Sequence, residues 1–262
     1  MARRADLHAV SLMRWVPVAG WLALLSAGAC SRPAERVHEK KPRTDSTLQH
    51  AFAAPRGLSS APSGGNVLLR WENHATAPGG YFVEFRTDPN DAFTMIDAVW
   101  ADAQTRTQQF AHEDAARDTV FSYRVRPFFG ATSAAAVLTT GAGVDAGAHE
   151  EEGPLAEPSP TGAVASLRDA RAMVEAAPAE LSATLASPTT AVLRWKDRAR
   201  DEDGYLLEMA PADSSAFQIC ALLPPNTTSF RKVKLPPHTK MQFRARAYFL
   251  GTPSNETTAS LR

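Results

Sequence analysis

Two sets of carboxylate and guanidinium side chains have a spacing that could support acid–base chemistry. They are Glu84 with Arg124 and Arg126, and Glu208 with Arg244 and Arg246. If the strands that carry them are neighbours in a sheet, each set could place a general acid beside a clamp for an anion. The interpretation that we favour is simpler: cross-strand ion pairs on a solvated sheet face, each contributing less than ~1 kcal/mol.

Large apolar residues are interleaved with these charges on the same predicted sheet face. They are Phe82, Phe128, Leu206 and Tyr248. Aromatic rings beside arginines can form a patch that binds a sugar, a peptide or a protein. The alternative is that strand ends and linkers cover the patch. We take these four residues, together with the six charged ones, as the candidate binding surface.

Two acidic runs contain residue types that bind metals. His149-Glu150-Glu151-Glu152 lies in a stretch rich in glycine and proline, where consecutive placement fixes no coordination geometry and favours a solvated charge run. Asp201-Glu202-Asp203 could hold calcium if a loop carbonyl completed the site, but its place before Gly204 favours an ordinary turn. The sequence therefore predicts no metal site and no cofactor.

The two cysteines, Cys30 and Cys220, are far apart and stand in different contexts. They predict neither a disulfide framework nor a pair of metal ligands. Cys220 lies in the apolar stretch FQICALL with no histidine nearby in sequence, so we expect a small buried hydrophobic residue. The sequence contains no GxSxG elbow, P-loop or glycine-rich dinucleotide turn, and we predict that the chain is not an enzyme.

The candidate residues must be positioned by two similar stretches, VFSYRVRPFF from Val120 to Phe129 and KMQFRARAYF from Lys240 to Phe249. In both, large or apolar residues occupy every second place and arginines fill the gaps, which is the period of a half-buried strand. Landmarks upstream recur in the same order. They are VLLRW ending at Trp71 and AVLRW ending at Trp195, then Gly80-Tyr81 and Gly204-Tyr205. The chain therefore contains two copies of one β domain.

This order of landmarks resembles the fibronectin type III domain. The resemblance covers residues 52–140 and 176–262, and it implies seven antiparallel strands in two packed sheets, as in immunoglobulin-like sandwiches. Trp71 and Trp195 alternate in phase with the neighbouring leucines, so each indole should lie at the centre of its own core. The predicted fold class is all-β, with two such sandwiches joined by a flexible linker.

Two segments have the composition of spacers. Residues 31–51 are polar and charged and read as a disordered tether, and residues 141–175 are rich in glycine, proline, alanine and acid, which favours a flexible linker. Within and just after the linker, SLRDARAMVEAA from Ser166 to Ala177 could form a short helix with Ser166 as its cap. At this length such a helix is marginal unless it packs on a domain.

The charge balance argues against one class of partner. The 262 residues include 28 basic and 28 acidic side chains, so the formal net charge is zero. A neutral chain has no long-range field to attract a phosphate backbone, and nucleic-acid binding is not expected.

Residues 1–30 read as an export signal. Arginines stand early, at Arg3, Arg4 and Arg14, and an apolar run from Trp15 to Leu25 follows. This run is shorter than the about 20 residues that a membrane span needs. If Met13 is the true start, the signal becomes more compact, with the same apolar core.

The signal ends in Ser26-Ala27-Gly28-Ala29-Cys30, which resembles the lipobox of bacterial lipoproteins. The resemblance implies cleavage before Cys30 and acylation of its thiol, while plain cleavage and an uncleaved anchor are the alternatives. Ser31, where an aspartate would retain such lipoproteins at the inner membrane, implies sorting to the outer membrane.

These features together predict an exported, lipid-anchored envelope protein that is not an enzyme. Its tandem domains would act as a binding, adhesion or spacer module, with an envelope protein or a polysaccharide as partner. The alternative is an accessory module of a carbohydrate-degrading system.

Overall fold

Apolar residues at every second place produce strands throughout the described part of the chain. The computed structural model describes residues 52–262 apart from residues 77, 103, 114 and 143–150. These residues belong to one compact unit. In the segment Asn66–Glu72, for example, Val67, Leu69 and Trp71 are buried and the residues between them are more exposed. Successive side chains of a strand point to opposite faces, so one face packs on the core.

Fourteen strands are described, and no helix occurs in the described ranges. The first seven are β1 (Arg56–Ser63), β2 (Asn66–Glu72), β3 (Gly80–Arg86), β4 (Thr94–Trp100), β5 (Thr107–His112), β6 (Val120–Phe129) and β7 (Ala136–Thr139). The second seven are β8 (Ala179–Ser187), β9 (Thr190–Lys196), β10 (Gly204–Pro211), β11 (Gln218–Leu223), β12 (Ser229–Lys232), β13 (Lys240–Leu250) and β14 (Thr257–Ser260).

The strands form two sandwiches with the same order. In the first sandwich, the sheet β1-β2-β5 packs against the sheet β4-β3-β6, and in the second the sheet β8-β9-β12 packs against β11-β10-β13. Neighbouring strands are antiparallel throughout. This arrangement confirms the all-β fold of two fibronectin type III-like sandwiches that the repeat predicts.

The last strand of each repeat completes the other repeat's sandwich. β7 follows β6 along the chain but pairs with β13, with Phe243 opposite Ala136. β14 follows β13 but pairs with β6, with Tyr123 opposite Thr257. The seventh strands are therefore exchanged reciprocally within one chain. From here on, the first sandwich means β1 to β6 with β14, and the second means β8 to β13 with β7.

The two sandwiches also share a continuous sheet, because β6 and β13 pair with each other where they cross. Phe249 lies opposite Phe129 and Leu250 opposite Phe128, which joins the strands into one eight-stranded sheet. Gly130, with a φ of +147°, stands at the crossing, where a Cβ atom would lie 1.9 Å from the carbonyl oxygen of Ala247. Only a glycine lets the two backbones approach this closely.

Each core is built around a tryptophan, as predicted, but neither core is independent of the other repeat. Trp71 and Trp195 are buried, each against a tyrosine of the next strand in its own sandwich. Leu261, at the far end of the chain, packs into the first core, and Leu138 packs into the second. The exchanged segments therefore give the other repeat both backbone hydrogen bonds and buried side chains.

The described part of the expected linker packs along the second sandwich. Gly153 exchanges backbone hydrogen bonds with Arg231 of β12, and Leu167 and Ala176 are fully buried in the second core. The short helix that Ser166–Ala177 could form is absent, and successive turns take its place. Burial of Leu167 and Ala176 fixes this segment by packing, which overrides its marginal helical propensity. The expected signal and the tether at residues 31–51 lie outside the described residues.

Candidate functional site

The four apolar residues of the candidate binding surface form a buried cluster between the sandwiches. Phe82, Phe128, Leu206 and Tyr248 are each at most 5 % exposed, and we call them the central cluster. The exposed patch predicted from the alternating pattern is therefore corrected. The pattern assigns these side chains rightly to the face away from each repeat's own core, but the other sandwich covers that face.

Ring contacts across the interface account for this burial. The rings of Phe82 and Tyr248, from different sandwiches, lie edge to face with centroids 5.4 Å apart. Phe128 also meets Tyr248 across the interface at 6.4 Å. Within the first sandwich, Phe82 packs on Phe128 at 4.9 Å and Trp100 packs on Phe128 at 5.9 Å. Edge-to-face and tilted pairs of this kind stabilise an interface by about 0.5–1.5 kcal/mol each beyond the area that they bury. The central cluster is therefore a third small core.

The candidate carboxylates lie beside their arginines, in a more buried setting than expected. Glu84 lies opposite Arg124 in the ladder and pairs with it, and Arg126 stands 3.8 Å away. Glu208 lies opposite Arg244 and pairs with it, and Arg246 donates to its other oxygen at 2.7 Å. The Glu208 side chain is completely buried, so these are not the solvated surface pairs that the sequence suggested.

The geometry of these ion pairs is suited to holding strands together. Arg244 stacks over the ring of Phe217 at 3.9 Å while its guanidinium is paired with Glu208. In the first sandwich, Arg124 stacks in the same way over Phe93 at 4.1 Å. A buried carboxylate enclosed by two arginines is out of reach of a substrate atom, which argues against the general-acid interpretation.

One arginine connects the two sandwiches directly. Arg246 donates from Nη1 to the carbonyl oxygen of Gly130 at 2.8 Å, at the point where β6 and β13 cross. Its guanidinium also lies 5.6 Å from the centre of the Trp100 ring, which belongs to the first sandwich. Arg246 thereby links Glu208, the crossing and Trp100, which packs against the central cluster.

A pair of serines that the sequence analysis missed anchors the exchanged strands. Ser133, before β7, donates its N–H to the Ala245 carbonyl at 2.8 Å, and its Oγ accepts the Ala245 N–H at 3.1 Å. Ser254, before β14, makes the same two bonds to Val125, at 2.8 and 3.0 Å. Both serines stand three residues after a glycine, Gly130 or Gly251, and that recurring spacing is the signal that could have found them.

Asn255 and Glu256 hold β14 to the first sandwich from the side. Asn255 donates from Nδ2 to the Leu58 carbonyl at 2.9 Å and accepts the Leu58 N–H at 3.1 Å. Its amide thus replaces a backbone partner for β1. Glu256 forms an ion pair with Arg86 of β3 at 2.9 Å.

The acidic run before Gly204 serves as a set of hydrogen-bond acceptors. Asp201 accepts from the hydroxyl of Ser166 and from the N–H of Leu167, and Asp203 accepts from the N–H of Leu250. Burial raises the pKa of Glu202, although its carboxylate accepts the N–H of Asn226. Among the described residues, no group of His, Cys, Asp and Glu is arranged to hold a metal.

A buried acid that the sequence analysis did not single out lies beside Trp195. Asp197 accepts hydrogen bonds from the hydroxyl of Tyr205 at 2.5 Å and from the N–H of Ala199 at 3.0 Å. Burial, and then the bond to Asp197, raise the pKa of Tyr205. The hydroxyl therefore stays protonated and acts as a donor that ties β9 to β10.

The remaining candidates offer no reactive group. Cys220 is half-buried, where full burial was expected. Burial of its thiol still raises the pKa to about 12, which leaves the thiol protonated at neutral pH. Glu152 forms an ion pair with Lys232 at 2.7 Å, whereas His149 and Glu150 lie outside the described residues. Cys30, the predicted lipidation site, also lies outside them.

An open cleft of about 700 Å³ lies between β1 and β14. Its lining includes the hydroxyls of Ser60, Ser63 and Thr258, beside Arg117 and the exposed Val120. No Asp, Glu, His or Cys side chain lines it, so its hydroxyls have no side-chain base beside them to activate a nucleophile.

Comparison with known proteins finds no matching family model and no matching curated protein. Among solved structures, an Fn3-like protein from Clostridium thermocellum is similar over 29% of this chain and 76% of its own, with 26% identity and a TM-score of 0.24. A two-domain fibronectin type III segment from chicken tenascin is similar over 79% of this chain and 99% of its own, with 15% identity and a TM-score of 0.25.

No helix in the described ranges is long and apolar enough to cross a membrane. The fold is assigned from the order of the strands. In each sandwich a three-stranded sheet packs against a second sheet, and the last strand of the other repeat completes that second sheet. The chain is a tandem of two fibronectin type III-like sandwiches.

Proposed function

We propose that this chain is a non-enzymatic spacer of the cell envelope, in which two fibronectin type III-like sandwiches act as one stiff unit that presents its outer surfaces to a protein or a polysaccharide. The reciprocal exchange of β7 and β14 carries this proposal. Two sandwiches that each depend on a strand from the other cannot swing apart without losing part of both cores.

Three further contacts support stiffness. The β6–β13 pairing continues the sheet across the junction, the central cluster fills the space between the sheet faces, and Arg246 bridges the crossing. Domains joined only by a flexible linker would move independently. A stiff module instead holds whatever it carries at a fixed distance from its attachment point.

Because the central cluster is buried, we place the proposed binding surface on other residues. A macromolecule cannot reach Phe82 or Tyr248 in this arrangement, so contacts with an envelope partner are assigned to the exposed outer strands and loops. Truncating Phe82 should therefore weaken the junction between the sandwiches instead of removing a ligand contact.

Stiffness is tested by measuring a distance across the junction. Spin labels are placed at Asp91 and Asp213, two exposed loop residues in different sandwiches, with Cys30 and Cys220 replaced by alanine. Pulsed electron resonance should give a single narrow distance distribution. A control pair within one sandwich, Asp91 and Thr107, gives the width that is due to the labels alone. A distribution much broader than the control would contradict the proposal.

Anchoring at Cys30 is a separate part of the proposal and rests on the lipobox-like residues. Labelling cells with a radioactive fatty acid should mark the wild-type chain and not a Cys30→Ala variant. Fractionation should then place the wild-type chain in the outer membrane. An unlabelled wild-type chain recovered in soluble form would reject the anchor and leave the spacer role unaffected.

A further inference from the structure

We propose that the second sandwich binds an acidic polysaccharide through a row of cations on the outer side of β9 and of the chain that continues it. From Leu193 to Arg200, buried and exposed residues alternate strictly. The exposed ones are all cationic, and we call them the cationic row: Arg194, Lys196, Arg198 and Arg200. Alternate residues of an extended chain are about 7 Å apart, so the row extends over about 20 Å.

Little in the second sandwich neutralises the cationic row. Glu180 pairs with Lys196 at 3.7 Å, but both side chains are mostly exposed, and such a pair is easily exchanged for another partner. Within the described ranges, the three arginines of the row form no ion pair. Three guanidinium groups are therefore available to an anionic ligand.

The other acids close to the row in sequence are engaged elsewhere. Asp197 is buried, and its carboxylate accepts three hydrogen bonds from within the fold. Asp201 and Asp203 follow the row, and both lie within ion-pair distance of Arg168. Their negative charge is therefore shared with a different cation.

The first repeat shows that the fold itself does not require these cations. Counted from the equivalent tryptophans of the two repeats, the positions of the cationic row are taken in the first repeat by Arg70, Glu72, His74 and Thr76. There Glu72 lies within ion-pair distance of both His74 and Arg106. One sandwich thus forms without the row, which argues for a role in binding and against a role in folding.

An open cleft of about 450 Å³ lies beside the cationic row. Arg194 and Lys196 line it, together with Glu180 and two residues that carry hydroxyls, Thr161 and Thr228. Guanidinium and ammonium groups bind carboxylates, and threonine hydroxyls can exchange hydrogen bonds with the hydroxyls of a sugar. This combination fits a sugar that carries a carboxylate, and the length of the row fits several such sugars in a polymer.

The inference deepens the proposed function, because it names the class of polysaccharide and the surface that would meet it. It rests on that proposal only for the presentation of outer surfaces to a partner. The stiffness of the junction, measured between Asp91 and Asp213, does not involve the cationic row. Failure to bind would leave that stiffness intact, and a flexible junction would leave the binding intact, so the two failures are distinguishable.

Binding of the full chain to polygalacturonate, a polymer of one carboxylated sugar, tests the proposal. The wild type should bind it, and binding should weaken as salt is added, because exposed charges are screened. Replacing all four residues of the cationic row by glutamine should weaken binding by about tenfold or more. The fully methyl-esterified polymer has the same sugar backbone without the charge, and the wild type should not bind it.

A second variant with the same net charge controls for the total charge of the chain. It carries glutamine in place of four exposed arginines of the first sandwich, Arg56, Arg70, Arg106 and Arg117. This variant should bind polygalacturonate as the wild type does, and urea titration should show that both variants remain folded.

Several outcomes would overturn the proposal. They are a wild type that does not bind polygalacturonate, equal weakening in the two variants, and equal binding of the acid and its methyl ester. Poly-glutamate, duplex DNA and anionic lipid vesicles are measured beside the polysaccharide. If any of these binds the cationic row as tightly as polygalacturonate does, the assignment to a polysaccharide is wrong.

Discussion

Replacing Leu261 by alanine should destabilise a sandwich whose other strands lie in the opposite half of the chain. Leu261 is 5 % exposed and belongs to the core that contains Trp71. Removing a buried leucine side chain costs about 2–5 kcal/mol, depending on how far the cavity collapses. A loss of about 3 kcal/mol raises the population of the open first sandwich by roughly a hundredfold.

Native-state hydrogen exchange measured by mass spectrometry can locate this effect. Amides of β2, β3 and β6 should exchange faster in Leu261→Ala, while those of β9 and β10 should change less. Leu138→Ala is the matched control, because Leu138 follows β6 in sequence but packs in the second core. It should loosen β9 and β10 first. The reasoning is refuted if each variant loosens the sandwich of its own repeat.

Three further results are expected. Glu208→Gln leaves two largely buried arginines without a counter-charge and should lower the unfolding free energy by about 3 kcal/mol in urea titration. Gly130→Ala places a methyl group against the backbone of Ala247 and should cost about 2–4 kcal/mol, whereas Gly64→Ala, with open space around it, should cost less. Burial raises the pKa of Glu202, so the folded state holds this proton more tightly than the unfolded state. The contribution of Glu202 to stability should therefore be lost as pH rises above about 4.5, and the stability difference between the wild type and Glu202→Gln, measured by urea titration at several pH values, should change in that direction.

The alternating pattern predicts the strands and the buried tryptophans well, because burial on one face of a strand is a local property. The alternation of side chains along each strand also assigns Phe82 and Tyr248 correctly to the face away from their own cores. It cannot say what covers that face, since the covering residues belong to the other repeat. The burial of the central cluster therefore had to come from the structure.

The exchange of β7 and β14 is hidden from the sequence for a related reason. Either short strand offers the same hydrogen-bonding backbone to β6 or to β13, and both are preceded by the same serine bonds. The choice depends on the crossing at Gly130 and on packing between the sandwiches, which are contacts between distant residues. From the repeat alone, one expects β7 to join the sandwich of the first repeat and β14 to join that of the second, because strands that are consecutive in sequence usually lie together.

The bond between Leu58 and Asn255 joins residues 197 positions apart. A ribosome that makes this chain from its N-terminus releases six strands of the first sandwich long before the strand that closes it. The first sandwich therefore stays incomplete until β14 has been translated. Such a delay leaves the buried face of the first sandwich incomplete throughout synthesis of the second repeat, and it makes folding of the early half depend on a contact of very long sequence separation.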